Sequence, residues 1–291
     1  MLSYRGLATS IFGNLVDQYS PSFAIIKDSL PRADMRIAFR TYMSIVCLTS
    51  IFIFIGALIA TLMVTQFLIQ VSIMMRIVYM IFIPMLATMV LFVLMAFYPY
   101  QRANSRKKNI ETNLPFVLTH MGAIAESGIP PYVVFKLISR FKEYGEVSNE
   151  MGKIIRNIDT FGIDPLTAVK QVAEKTPSES FKQVLFGFVT TTESGGDVRG
   201  FLKSAGKQAL FEWRIKREKF LQQLEAYAEF YTGILIAAPL FIISLFAVMN
   251  MIQPTVGGFS ITELMRMSIY LIIPLVNIGF LIFLRGVEVE M

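Results

Sequence analysis

The sequence has almost none of the residues that build metal centres and disulfides. It contains one cysteine, Cys47, and one histidine, His120, in 291 residues. A zinc centre of the usual kind takes several cysteine and histidine ligands, and a disulfide needs two cysteines, so both are excluded. We expect His120 to be a packed structural residue rather than a catalytic base, and we expect no cofactor.

A phosphate-binding loop is also missing. Such a loop ends in Gly-Lys-Ser or Gly-Lys-Thr, with another glycine at a fixed distance before it. The nearest string is Gly206-Lys207-Gln208, which falls within a predicted helix and has neither feature. We interpret this string as a solvated helix face and expect no ATP hydrolysis by this route. The protein is therefore predicted not to be an enzyme.

Charged residues are missing from two long stretches. Between Arg40 and Arg102 the only charged residue is Arg76, and between Glu229 and Arg285 there are only Glu263 and Arg266. A membrane-spanning helix needs about 20 mostly apolar residues. The two stretches therefore predict four spans, at residues 42–67, 77–99, 230–252 and 267–284.

The inner thirds of these spans carry no charged residue. Ionisable groups within a membrane usually mark a transport path or a proton relay, so their absence disfavours a channel or a pump. A small-molecule transporter or export component is kept as an alternative function, as is a membrane-tethered adaptor.

Lysine and arginine are concentrated between the two apolar stretches, where residues 101–227 hold 19 of the 27. Because basic residues stay on the cytoplasmic side, we expect this insert and both termini to be cytoplasmic in a multi-pass protein of the cell membrane. We attribute the net charge of +6 to anionic lipid rather than to nucleic acid. The candidates for lipid head-group contact are Arg102, Arg106, Lys107, Lys108, Arg214, Lys216, Arg217 and Lys219.

The predicted fold class is all-α, with a cytoplasmic six-helix bundle inserted between two helical membrane hairpins. The first 40 residues are predicted to form amphipathic helices along the inner membrane surface, with Leu7, Ile11 and Leu15 on one stripe. The predicted segments are an N-terminal segment at 1–40, hairpins at 41–100 and 228–285, the helical domain at 101–227 and a tail at 286–291.

Gly, Pro and short polar residues mark the expected helix ends within the insert. Gly128 is expected to end the first helix, which begins near Leu114, and Gly195-Gly196 to end the fifth. The hydroxyls and carboxylates expected to cap the later helices belong to Ser148, Asp164, Ser178 and Asp197. Pro165, directly after Asp164, is expected at the first helical position.

Several turn motifs of the insert occur together in a recognisable order. They are Leu114-Pro115-Phe116, Ser127-Gly128-Ile129-Pro130, Gly162-Ile163-Asp164-Pro165 with the following Leu166 to Val169, Phe181, and Glu193-Ser194-Gly195-Gly196-Asp197. This set resembles the cytoplasmic domain of the type II secretion F family, the membrane platform proteins of type IV pili, Tad pili and archaella. The layout of two spans, one domain and two spans is similar to the Tad-type and short archaeal versions.

The resemblance implies a non-enzymatic platform for assembling a type IV-like filament or secretion pseudopilus. It implies a cytoplasmic hexameric ATPase, pilin subunits, and either a homodimer or a second platform subunit as partners. The residues we expect to contact a partner are Glu193, Asp197, Gly162, Asp164 and Pro165. Gly128, Gly195 and Gly196 are expected to form structural turns.

Overall fold

The computed structural model describes residues 4–18, 20–67 and 73–287. Residues 68–72, between the first two predicted spans, and the end of the predicted tail lie outside these residues. The chain divides into two compact units, residues 1–211 and 212–291. The first contains the N-terminal segment, the first hairpin and most of the insert, and the second contains the second hairpin.

The described chain is built almost entirely of helices. In the first unit these are α1 (Tyr4–Gln18), α2 (Ala24–Arg32), α3 (Phe39–Phe67), α4 (Ile73–Glu126), α5 (Pro131–Ile138), α6 (Glu146–Asp159), α7 (Pro165–Lys175), α8 (Glu179–Glu193) and the start of α9 (Val198–Phe230). Short 3₁₀ turns occupy Ser20–Phe23 and Lys142–Tyr144.

The second hairpin follows α9 and contains two wider turns. A π-helical segment at Tyr231–Ala237 leads into α10 (Ala238–Ile252), and another at Ser268–Ile272 joins α11 (Ile261–Met267) to α12 (Ile273–Val287). Between α10 and α11, β1 (Thr255–Val256) pairs antiparallel with β2 (Phe259–Ser260). Gly257 and Gly258 both have positive φ and form the tight turn between these strands.

Within the described residues, four helical stretches are long and apolar enough to cross a membrane. They are Phe39–Gln66, Ile73–Glu126, Val198–Ile252 and Ile261–Arg285. The predictions of an all-α fold and of four spans are confirmed, and the protein is a polytopic membrane protein.

The helix that forms the second span does not end where the sequence predicted. The prediction placed its end at Pro99 and a new helix at Leu114, but α4 continues through Pro84, Pro99 and Pro115. Thr119 Oγ1 donates to the carbonyl of Pro115 at 2.7 Å, one turn back along the same helix. Pro99 and Pro115 are both buried, so packing offsets the backbone hydrogen bonds that these prolines cannot donate. The separate helix predicted at Leu114 is therefore the continuation, within the bundle, of the helix that forms span two.

The bundle core lies between the second half of α4 and helices α5 to α9. Its largest fully buried side chains include Phe181, Ile110, Leu118, Met121, Ile138 and Met151. Each such side chain contributes about 1.5–3 kcal/mol when it is removed from water.

Two of the predicted caps can be compared directly. Ser178 accepts a hydrogen bond from the amide of Phe181 at 3.3 Å, as predicted for α8. The prediction for Ser148 is wrong, because α6 already begins at Glu146, after Gly145. Ser148 instead donates to the carbonyl of Ser139 at 2.9 Å and is buried.

A second apolar cluster joins the N-terminal helices to the first hairpin, with Val16, Leu30, Tyr42, Val46 and Ala96 among its members. Tyr4 of α1 hydrogen-bonds to Thr49 at 3.0 Å, and Asn14 accepts from Arg40 at 3.4 Å. These contacts make α1 antiparallel to the start of α3, which differs from a helix lying flat along the membrane surface. Leu7, Ile11 and Leu15 form the predicted exposed stripe.

Candidate docking surface at the end of the bundle

Three turns of the insert meet at the end of the bundle farthest along α4 from its membrane span. They connect α4 to α5 at residues 127–130, α6 to α7 at 160–164, and α8 to α9 at 194–197. We call these three turns the tip. They carry three of the five motifs noted in the sequence.

Polar contacts between neighbouring helices close the three turns into a ring. Tyr132, at the start of α5, donates to Asp159, at the end of α6, at 2.7 Å. Lys170, in the middle of α7, pairs with Glu193 at the end of α8, also at 2.7 Å. Lys203 near the start of α9 pairs with Glu126, the last residue of α4. Each contact joins the helix that follows one turn to the helix that precedes another, which places all three turns together.

The local sequence explains why each turn forms. Gly128 and Gly195 have φ of 81° and 68°, a left-handed conformation that glycine adopts without the steric cost of a side chain. Asp164 accepts from the amide and hydroxyl of Thr167 at 3.1 and 3.2 Å, and Pro165 takes the first helical position of α7. Asp197 accepts from the amide of Arg199 at 3.0 Å. The predicted caps at Asp164 and Asp197 are confirmed.

Gly196 is required for a different reason. Its amide donates to the carbonyl of Thr191 at 2.8 Å, closing the end of α8. A β-carbon at this position would lie 3.1 Å from Thr191 Cγ2, closer than ordinary van der Waals contact. Gly196 therefore allows the chain to fold back tightly onto α8.

The structure brings together all five residues predicted to contact a partner. Gly162, Asp164, Pro165, Glu193 and Asp197 are exposed within the tip. Two of the carboxylates already have partners within the fold, because Glu193 pairs with Lys170 and Asp197 caps α9. Contact of these residues with another protein stays a prediction.

An aromatic side chain at the tip was missed by the sequence prediction. Helix α6 ends at Asp159, and Phe161, two residues later, is 66% exposed. Gly162, which follows it, has a φ of 63° and reverses the chain. An aromatic residue directly before a helix-ending glycine is the signal that marked this position. Exposed aromatic side chains of this kind often anchor protein interfaces.

The ion pairs and hydrogen bonds at the tip lower the pKa values of two carboxyl groups. The hydrogen bond from Tyr132 and the positive charge of Lys136 lower the pKa of Asp159. The hydrogen bond and charge of Lys203 lower the pKa of Glu126. Both carboxylates are therefore charged at neutral pH. The tip carries acidic and basic side chains together rather than a patch of one sign.

Arg106 does not lie where the sequence predicted. Its side chain is only 8% exposed, and its Nε donates to Glu146 at 2.7 Å, while Nη2 pairs with the buried carboxylate of Glu150. A buried guanidinium with these partners is not available to lipid, so the head-group prediction is wrong for Arg106. The other seven candidates lie at least partly exposed, and lipid contact stays a prediction for them.

Burial disfavours the charged form of Arg106, but the hydrogen bonds and charges of Glu146 and Glu150 outweigh it and raise the pKa. Arg106 is therefore charged at neutral pH. Sequence periodicity could not reveal this ion cluster, because its members lie 40 and 44 residues apart.

His120 and Gly206 have structural surroundings. His120 is half-buried, with Nδ1 2.9 Å from the hydroxyl of Tyr144 and its ring beside that of Phe141. Gly206 is buried against α4, so the prediction of a solvated helix face is wrong for this residue. In the part of the chain that the structure describes, no three metal-ligating side chains converge.

Comparison with known proteins places these features in a family. Residues 117–246 match the family model "Type II secretion system (T2SS), protein F". The matched region begins within α4, includes the whole tip and ends in α10. No solved structure matches the chain.

Three archaeal proteins are also similar. An uncharacterised protein of Methanocaldococcus jannaschii is 24% identical over 193 residues, covering 65% of this chain and 32% of the relative. The "Flagella accessory protein J" of the same organism is 24% identical over 146 residues, covering 50% and 26% of the two chains. The protein of that name from Methanococcus voltae is 22% identical over 175 residues, covering 60% and 30%.

The matched region spans about a third or less of each of these relatives. The order of the turn motifs, the helical bundle and the family match all agree. The resemblance inferred from the turns is confirmed, and residues 117–246 of this multi-pass membrane protein match the type II secretion system F family.

Proposed function

We propose that this protein is a non-enzymatic membrane platform for assembling a type IV-like filament. The observation that carries the proposal is the tip, a ring of motif-bearing turns at the end of a helix that continues without interruption into span two. Two of the similar archaeal proteins are named flagella accessory proteins, which supports a role in a filament of this class.

In this proposal the insert and both termini face the cytoplasm. The basic residues nearest the spans, including Arg36, Arg40, Arg102 and Lys108, are on the side of the insert, as the positive-inside rule requires. A cytoplasmic hexameric ATPase docks on the tip, and pilin subunits contact the spans. The platform acts as a homodimer or with a second platform subunit, and its contacts with the membrane are with lipid rather than nucleic acid.

The tip offers a partner two kinds of contact. Phe161 provides exposed apolar area, and the surrounding ion pairs provide a polar rim, an arrangement typical of protein interfaces. Glu193 and Asp197 contribute to that rim while they hold α7 and α9 in place. Loss of Phe161 is expected to weaken docking more than loss of either carboxylate.

The experiment is co-purification of the full-length protein in detergent with the filament ATPase of the same organism. Two tip variants are compared with wild type, Phe161→Ala and the double variant Glu193→Lys with Asp197→Lys. A matched control is Glu143→Lys with Glu179→Lys, which makes the same charge change at exposed positions near the opposite end of the bundle.

We expect both tip variants to lose most of the bound ATPase and the control to retain it. Circular dichroism of each variant establishes that the helices are intact. If the folded tip variants bind as wild type does, or if the control loses binding equally, docking at the tip is contradicted.

A further inference from the structure

The segment between α2 and α3 is fastened to the bundle by two contacts of different character. Residues 33–38 connect the N-terminal helices to span one. Arg106 Nη1 donates to the carbonyl of Arg32 at 2.5 Å. Lys153 Nζ, on α6, pairs with Asp34 Oδ1 at 2.9 Å. The bundle therefore holds the chain directly before it enters the membrane.

These two contacts differ in their exposure to solvent. Arg106 is buried with Glu150, whose side chain is 3% exposed, so this inner contact is shielded from water and salt. The outer contact is between Lys153, 19% exposed, and Asp34, 41% exposed. Water and counterions reach the outer pair, so it is the weaker of the two. Lys153 also pairs with Glu150 at 3.0 Å, which keeps its ammonium in place when Asp34 leaves.

Asp34 also has an unusual backbone conformation. Its φ is 55°, and it is the only non-glycine residue with positive φ among those the structure describes. This left-handed conformation is less favourable for a residue with a side chain, although aspartate tolerates it better than most. The hydrogen bonds from the amides of Asp34 and Met35 to the carbonyls of Pro31 and Leu30, which close the end of α2, offset this cost together with the outer ion pair. Opening the pair removes part of that support and allows Asp34 to return to an ordinary backbone conformation.

We propose that Asp34 and Lys153 form a releasable latch between α6 and the segment that leads into span one. When the latch is closed, residues 33–38 are held on the bundle. When it opens, Asp34 relaxes to an ordinary backbone conformation and the segment separates from α6, while Arg106 and the apolar contacts of α2 keep the N-terminal helices docked. Span one gains freedom relative to α6, whose far end leads into the tip.

Hydrogen exchange of the full-length protein in lipid nanodiscs tests the latch without any partner. Three amides report its closed state: Ala33 donates to Ser29, Asp34 to Pro31 and Met35 to Leu30, at 2.8, 3.1 and 3.1 Å. For Lys153→Gln we expect these amides to exchange about three to five times faster, because they exchange through the opened state. Higher salt is expected to accelerate exchange in the wild type in the same direction.

Two further variants separate the latch from a general effect. Lys136→Gln removes an ion pair with Asp159, whose carboxylate is as exposed as that of Asp34 although its lysine is more exposed than Lys153, and it is expected to leave these amides unchanged. Asp34→Gly removes the pair and the strain together, so its acceleration is expected to be smaller than that of Lys153→Gln.

Unchanged exchange in Lys153→Gln, or equal acceleration in Lys136→Gln, would overturn the latch. If exchange accelerates as much in Asp34→Gly as in Lys153→Gln, the left-handed conformation of Asp34 does not help to open the latch, and the proposal is overturned in this form. Because no ATPase or pilin is present, neither outcome bears on docking at the tip.

Discussion

Gly206 lies where α9 passes closest to α4, and replacing it tests how tightly the two helices pack. A β-carbon at Gly206 would lie 2.8 Å from the carbonyl oxygen of Leu118 and 3.0 Å from Thr119 Cα. Both are backbone atoms, so no side chain can rotate away. Gly122, on α4, approaches α9 in the same region, where its β-carbon would lie 3.1 Å from Lys203 Cα.

The expected cost of Gly206→Ala follows from these distances. Ordinary van der Waals contact begins at 3.4 Å, so α9 must move away from α4 by roughly half an ångström. Forcing an extra carbon into a packed contact costs about 1–3 kcal/mol, and the better helix propensity of alanine returns roughly 1 kcal/mol. We therefore expect a net loss of stability of about 1–2 kcal/mol for alanine, and on the order of 3 kcal/mol for valine.

Pulse proteolysis of the full-length protein in detergent over a urea series measures this loss. Gly152 on α6 is the matched control, because its β-carbon would meet only Ser139 Cβ at 3.9 Å. Gly152→Ala gains helix propensity without a clash, so it is expected to stabilise the bundle by about 0.5–1 kcal/mol. The two substitutions are chemically identical and are expected to have opposite signs. A Gly206→Ala variant as stable as Gly152→Ala would refute the close packing of α4 and α9.

Two further predictions concern the ion pairs of Arg106 and of Asp34. Arg106→Gln leaves the carboxylate of Glu150 buried with only Lys153 as an ionic partner, so we expect the free energy of unfolding to fall by about 3–5 kcal/mol in the same proteolysis assay. Arg106→Met combined with Glu150→Leu is expected to recover much of this loss. A double variant no more stable than Arg106→Gln would contradict the prediction. The second concerns pH: burial alone would raise the pKa of Asp34, but Lys153, Arg106 and Arg36 lower it below its usual 3.8. The contribution of the Asp34 ion pair to stability is therefore present above the pKa of Asp34 in the unfolded chain and is lost as pH falls through its lower pKa in the folded chain. Amide exchange at residues 33–35, corrected for intrinsic rates, is expected to stay constant from pH 8 to about 5 and to rise only in stronger acid. A rise between pH 7 and 6 would refute this prediction.

The features that the sequence predicted correctly are local ones. Span length depends only on a run of apolar residues, and the caps at Asp164, Ser178 and Asp197 depend on a side chain and an amide two or three residues away. The tip could be anticipated for the same reason, because its three turns each carry their own signal. Their convergence at one end follows once the helices alternate in direction.

The features that the sequence did not reveal depend on distant partners. Pro99 and Pro115 usually signal a helix boundary, but their burial in α4 offsets the backbone bonds they lose. Arg106 looked like other basic residues near the membrane, and only the folded chain brings Arg32, 74 residues away, to it. Gly206 looked like a solvated position because its neighbour is a backbone on another helix.

The continuity of α4 fixes how the tip is aimed relative to the first hairpin. With 54 residues in one helix, α4 is a rod about 80 Å long that has no flexible joint between span two and the bundle. Each residue added to or removed from such a rod changes its length by about 1.5 Å and turns everything beyond it by about 100°. The number of residues between Pro99 and Leu114 therefore determines the direction in which the tip points relative to span two. A change of one residue there would point the tip in a different direction relative to span two.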